Sequence, residues 1–222
     1  MLFGKNAAAG VINIVTARPD LNETTGRASL SYGTFDEVRA KGSVSVPIKA
    51  GEAAASLSGF YNRSDGFITN VVDGRDMNGL NSWGVRGKVA WSPDETFDLY
   101  ATLDYTRADQ DCCVTTSRSI LPTTRYLGPT GPTRASLFAG VDVGPFSRES
   151  NIDGLAFNDQ KTWGASIEAS KDLGTVILTS ITAYREFNVV DNNDADNSPL
   201  NLLNINSADQ DQEQFTQEIR IS

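Results

Sequence analysis

From Arg27 onward, apolar and polar residues alternate with a period of two, and turn-forming residues separate one alternating segment from the next. Arg27 to Phe35 places Ala28, Leu30 and Tyr32 opposite Arg27, Ser29 and Ser31. After a Thr34–Glu37 turn, Val38, Ala40, Gly42, Val44 and Val46 alternate with Arg39, Lys41, Ser43 and Ser45. Ala53 to Asn62 shows Ala53, Ala55, Leu57, Gly59 and Tyr61 on one face. Trp83, Val85, Gly87, Val89 and Trp91 then oppose Arg86 and Lys88, and after Ser92–Thr96 Phe97, Leu99, Ala101, Leu103 and Tyr105 oppose Asp98, Thr102 and Asp104. Three more strands are predicted at Thr162–Lys171, Thr175–Asn188 and Gln212–Ser222. In the first and last, Trp163, Ala165, Ile167 and Ala169, and then Phe215, Ile219 and Ile221, share the apolar face. The middle one mixes Val176, Ile177, Leu178 and Ile181, and its faces cannot be assigned. A β-branched run, Val11, Ile12, Ile14 and Val15, bounded by Gly10 and Pro19, adds an opening strand.

The apolar faces end in aromatics, with Trp83 and Trp91 closing one and Phe97 and Tyr105 the next. Eight steps of about 3.3 Å, tilted near 40°, project to roughly 20 Å along a membrane normal, close to the apolar band of an outer-membrane barrel. The connections alternate in length. Turns at Lys49–Glu52, Pro93–Thr96 and Lys171–Gly174 are short, whereas Ser64–Leu80, Ala108–Gln160 and Asp191–Asp211 are long, polar loops, the second expected to be structureless. Short turns on one side and long loops on the other are the asymmetry of such barrels.

Composition is compatible with that reading. Of 222 residues, 39% are hydrophobic and 21% charged. No run approaches the roughly 18 apolar residues that a membrane-crossing helix needs, but a barrel strand turns only every second residue to lipid. A net charge of −9 argues against nucleic acid as a partner. The chain contains no His, which removes the commonest general base and metal ligand, so no enzyme activity, catalytic residue, metal or cofactor is expected. Cys112 and Cys113 are adjacent, compatible with a vicinal disulfide, a bond to a cysteine elsewhere or no chemistry at all. Gly4-Lys5-Asn6 lacks the Walker spacing. The Asp191–Asp196 run lacks the central Gly and closing Glu of a calcium loop.

Leu2 to Pro19, with Phe3-Gly4-Lys5-Asn6-Ala7 leading into Gly10-Val11-Ile12-Asn13-Ile14-Val15-Thr16, closely resembles the end of the plug domain of TonB-dependent outer-membrane receptors. Ser31-Tyr32-Gly33-Thr34-Phe35, Trp91-Ser92-Pro93 and Phe215-Thr216-Gln217-Glu218-Ile219-Arg220 resemble barrel segments of the same family, in the same order. The resemblance implies an all-β fold: an antiparallel transmembrane β-barrel, of which this chain carries about eight of roughly 22 strands, preceded by the last strand of a plug. Residues 1–19 would end the plug, with Gly4, Lys5, Asn6, Ala7, Gly10 and Asn13 as its motif, and 20–222 would open the barrel.

No leader is visible after Met1, so the chain is expected to be a portion of a longer receptor. The resemblance further implies a Gram-negative outer-membrane location, contact with its lipid through a girdle of Trp83, Trp91, Phe97 and Tyr105, and energy from TonB through an upstream TonB box. It implies active uptake of a scarce small molecule, a ferric siderophore before cobalamin or a carbohydrate. Loops 64–80 and 108–160 are the expected ligand-capture regions, and polar residues such as Arg27, Arg39, Lys41, Arg86, Lys88 and Asp104 are expected to face the interior. The alternatives are a complete eight-stranded outer-membrane barrel with a structural or adhesive role, a soluble β-sandwich binding module and, more remotely, an outer-membrane enzyme.

Overall fold

The computed structural model describes residues 15–222; the motif residues Gly4, Lys5, Asn6, Ala7, Gly10 and Asn13 lie outside them. Twelve elements follow in chain order: β1 (Thr25–Tyr32), β2 (Val38–Lys49), β3 (Ala53–Ser64), β4 (Ile68–Asn70), β5 (Asp76–Met77), β6 (Leu80–Asp94), β7 (Phe97–Gln110), α1 (Arg134–Leu137), β8 (Glu149–Ser150), β9 (Phe157–Asp172), β10 (Ile177–Asn193) and β11 (Asn206–Ile221). The eight long strands form one sheet in the order β1-β2-β3-β6-β7-β9-β10-β11, every neighbour antiparallel. They lengthen from 8 residues in β1 to 17 in β10.

Directly opposed residues share a face, so the register tests the alternation read from sequence. Val44 opposes Leu57, Leu57 opposes Gly87, Gly87 opposes Leu103 and Leu103 opposes Ala165. The apolar positions of five strands therefore form one continuous surface. The same register settles β10: Leu178, Ser180, Thr182 and Tyr184 join that surface, and Thr179, Ile181, Ala183 and Arg185 lie on the other.

The strand ends differ from the sequence expectation where backbone geometry overrides alternation. β1 stops at Tyr32, not Phe35, because Phe35 and Asp36 both take left-handed φ, at 62° and 49°, and the Gly33 N–H closes the turn onto Glu37 O at 2.8 Å. β6 runs through Pro93 to Asp94, past the expected turn. The irregularity between Trp91 and Asp94 absorbs the proline, which lacks a ladder N–H and is tolerated at such bulges. β9 begins at Phe157 and β10 ends at Asn193, in polar stretches whose ladder bonds need no apolar periodicity.

The long loops also differ from expectation. The 108–160 connection is not structureless: β4 pairs antiparallel with β5 and parallel with β8 to make a second, three-stranded sheet. Under it sits a cluster of Ile68, Met77, Val114, Ile152 and Ala156. Cys112 and Cys113, just before Val114, are bonded to each other.

Two alternatives fail on this topology. The order ends at β1 and β11, which are exposed along their whole length and do not pair with each other, so the described strands do not close an eight-stranded barrel. Among the described residues no second large sheet covers the apolar face, as a sandwich would require.

Candidate functional site

The polar face is organised by a cross-sheet row in which Arg27, Ser43, Ser58, Arg86, Asp104, Gly164, Arg185 and Gln214 oppose one another strand by strand. Asp104 is its hub. The Arg185 guanidinium grips it with two contacts of 3.1 and 3.2 Å, and Arg86 approaches to 3.6 Å from the other side. Such bidentate pairing satisfies a largely buried carboxylate. Arg185 must cross β9 to reach β7, and it passes over Gly164, where a Cβ would lie 2.8 Å from the guanidinium. The glycine is the opening through which the three strands are tied.

Charge on this face is uneven. β1, β2, β3 and β6 contribute Arg27, Arg39, Lys41, Arg86 and Lys88 and no carboxylate, whereas β7, β9, β10 and β11 place Asp98, Asp104, Glu168 and Glu218 beside Arg185 and Arg220. Arg27, Arg39, Lys41, Arg86 and Asp104 line a cavity of about 840 Å³ against this wall. All six polar residues expected to face the interior are therefore on one face. Sequence reasoning missed Arg185, whose strand mixes apolar residues on both faces. Only its register with Asp104 could have revealed it.

The incoming chain lies on the same face. Lys88 Nζ donates to Thr16 Oγ1 at 2.6 Å and to Ala17 O at 2.7 Å. Arg18 donates to Asp98 Oδ2 at 2.7 Å, lies 3.7 Å from Glu168 Oε1 and stacks 4.8 Å above the Tyr100 ring. The Asp20 N–H donates to Ser45 Oγ at 2.9 Å, and Asp20 Oδ1 accepts the N–H groups of Asn22 and Glu23, which hold its carboxyl below the usual range. The Gly51 N–H donates to Leu21 O at 2.9 Å.

The opposite face is apolar and bounded by aromatics. Trp83 packs on Tyr105 at 5.3 Å and Trp163 on Tyr184 at 5.1 Å, toward the long-loop end. Trp91 meets Phe97 edge to face at 5.6 Å, next to the short turns. Between the two belts, Val85, Val89, Leu103 and Ile167 stand exposed. The Trp163 Nε1–H donates to Glu186 Oε2 at 2.8 Å, so the ring's polar edge is satisfied.

The two loops expected to capture ligand are brought together at the long-loop end. Asn70 Nδ2, fully buried, donates to Ile152 O at 2.9 Å. Asn78 exchanges two 2.9 Å bonds with the Val114 backbone. The β10–β11 loop joins them: Asp194 Oδ2 accepts the Gly154 N–H at 3.0 Å and Asn204 Nδ2 donates to Asp153 Oδ1 at 2.7 Å. Burial pushes the Asp194 carboxyl above its usual range, and the Asp196 and Asp153 charges push the same way. No group of three or more His, Cys, Asp or Glu converges on a metal site among the described residues. Within the Asp191–Asp196 run, Asp194 and Asp196 accept backbone N–H groups of Gly154 and Leu203.

No family model matches the chain. It is 33% identical over 119 residues to pesticin receptors of Yersinia enterocolitica and Yersinia pestis, an alignment covering 51% of this chain and 17% of each relative. In fold it is similar to the ferric yersiniabactin uptake receptor FyuA from Yersinia pestis, with a TM-score of 0.64 at 18% identity over 96% of this chain and 29% of that one. The chain thus spans less than a third of the length of the relatives it matches. In its two-faced antiparallel wall with a folded cap at the long-loop end the chain shares the fold of that uptake receptor, and about half of its length is similar in sequence to the pesticin receptors.

Proposed function

We propose that this chain is a wall segment of an outer-membrane receptor that actively takes up a scarce small ligand, a ferric siderophore first, with energy from TonB. On this reading residues 1–19 end the plug, 20–222 form barrel, and Trp83, Trp91, Phe97 and Tyr105 belong to the lipid girdles. The observation that carries it is the continuous pairing of an exposed apolar face, bounded by aromatics at both ends, with a charged face that holds the incoming chain. Lipid solvates the first face at no cost, while water would leave it unsatisfied. The relatives are named as receptors for pesticin and for ferric yersiniabactin, which favours an iron chelate over cobalamin or a carbohydrate. The loop unit built on Ile68, Met77, Val114 and Ile152 is the surface on which ligand would first land.

The test uses the receptor expressed from its complete coding sequence in a siderophore-deficient Gram-negative host. Outer-membrane fractionation should recover it with heat-modifiable mobility. Uptake of ⁵⁵Fe, screened across hydroxamate, catecholate and phenolate–thiazoline chelates, should appear with one class and vanish in a tonB deletion. Recovery in the soluble fraction, or uptake indifferent to TonB, would overturn the proposal.

A further inference from the structure

We infer that Thr16–Glu23 is a fixed anchor, clamped by Lys88, Arg18, Asp98 and Glu168, that confines any rearrangement of the upstream chain to residues before Thr16. The inference rests on the receptor reading, because it gives that chain a reason to move.

The anchor forms no strand, yet its backbone and side chains bond to β2, the β2–β3 turn, β6, β7 and β9. These attachments fall on both sides of buried Pro19, so pulling from upstream loads several of them together. Lys88 is the strongest candidate for the first stop. It is only 8% exposed, and its ammonium meets Thr16 Oγ1 and the Ala17 carbonyl rather than a carboxylate. Pulling Thr16 and Ala17 away breaks both bonds to the ammonium, which opposes withdrawal. Arg18 supplies the second stop through two carboxylates on adjacent strands and the Tyr100 face. Ser92 Oγ donates to the free oxygen of Asp98 at 2.8 Å and holds that carboxylate in place.

The contacts have a direction. Thr16 to Arg18 are held by side chains of β6, β7 and β9, and Asp20 to Glu23 by Ser45, Gly51 and the local Asp20 turn. A pull at Thr16 must therefore break the ionic clamp before it reaches the turn that feeds β1. The edge strand β1 has only β2 as a partner among the described residues, and the clamp stands between it and the load.

The experiment pulls the complete receptor, reconstituted in a bilayer, by its N-terminus in a single-molecule force instrument. In the native protein, extension should pause when all residues before Thr16 are released. The Arg18→Gln/Lys88→Met double variant should lose that pause and release a further four residues, Thr16 to Pro19, on the order of 14 Å, before the Asp20 turn resists. Identical force–extension traces for the two proteins would overturn the inference, as would a native trace with no pause at Thr16. If the double variant does not assemble, Asp98→Asn supplies the comparison, with the pause weakened rather than lost. The force readout does not require transport, so failure of uptake and failure of the anchor are separately visible.

Discussion

The sheet and the loop cap solve the same problem in opposite ways. The cap has a conventional interior, with Met77 and Ile152 each 1% exposed and fully buried Asn70 bonded to a core carbonyl. The sheet has almost none. Its buried apolar residues are small, such as Ala54 and Ala90, while Leu103 is 59% and Ile167 53% exposed. A protein that met only water would hide the larger side chains. Here most large apolar residues of the wall share one exposed face, and Arg86, Lys88, Asp104 and Arg185 lie on the other. On the receptor reading the wall is stabilised by its ladder and by lipid, and the cap by packing. The solvent then differs across a few residues of chain, and the burial pattern inverts with it.

Four substitutions test that contrast. Met77→Ala should open a cavity in the cap and cost about 2–5 kcal/mol, melting the loops while the sheet persists. Trypsin cleavage near Arg75 and Arg148, with β signal intact by circular dichroism, would show it. Leu103→Arg, opposite Gly87 and halfway between Trp83 and Trp91, should cost about 2–4 kcal/mol in lipid. Denaturant titration of the complete protein in vesicles and in detergent would separate lipid exposure from packing, since a packing role costs alike in both.

Gly164→Ala should push Arg185 off Asp104 and cost on the order of 1 kcal/mol, the worth of the hydrogen bonds lost. Its effect should disappear in an Arg185→Ala background, as a double-mutant cycle would reveal. Asp194→Asn has the smallest expected effect and acts through pH. Because burial raises the folded-state pKa, the folded cap binds more protons than the unfolded one between the ordinary carboxylate value and the raised one. Cap stability should therefore fall as pH rises through that window and level off above it. The Asp194→Asn variant should flatten this slope, with Ile152 methyl resonances reporting the cap's melting.

Much of the wall was legible in sequence because a strand writes its two environments into adjacent letters. Trp83-x-Val85-x-Gly87-x-Val89-x-Trp91 with Arg86 and Lys88 between is readable without any partner strand. β10 was not, since Ile181 and Phe187 face inward alongside Arg185 and remove the alternation. The cap was illegible for another reason. β4 and β8 lie some 80 residues apart and are three and two residues long, too short to carry a period. The long loops were located by their length, but not their shared core.

Strand faces, the short-turn and long-loop asymmetry and the resemblance of the opening segment to a plug end were all open to reading from the chain, because each depends on near neighbours. Three features came from the folded molecule alone: Arg185 reaching Asp104 over Gly164, three loops sharing one interior, and Arg18 and Lys88 fastening the incoming chain to the wall. The contacts that make them join residues 36 to 82 positions apart and rest on a register that no local pattern encodes.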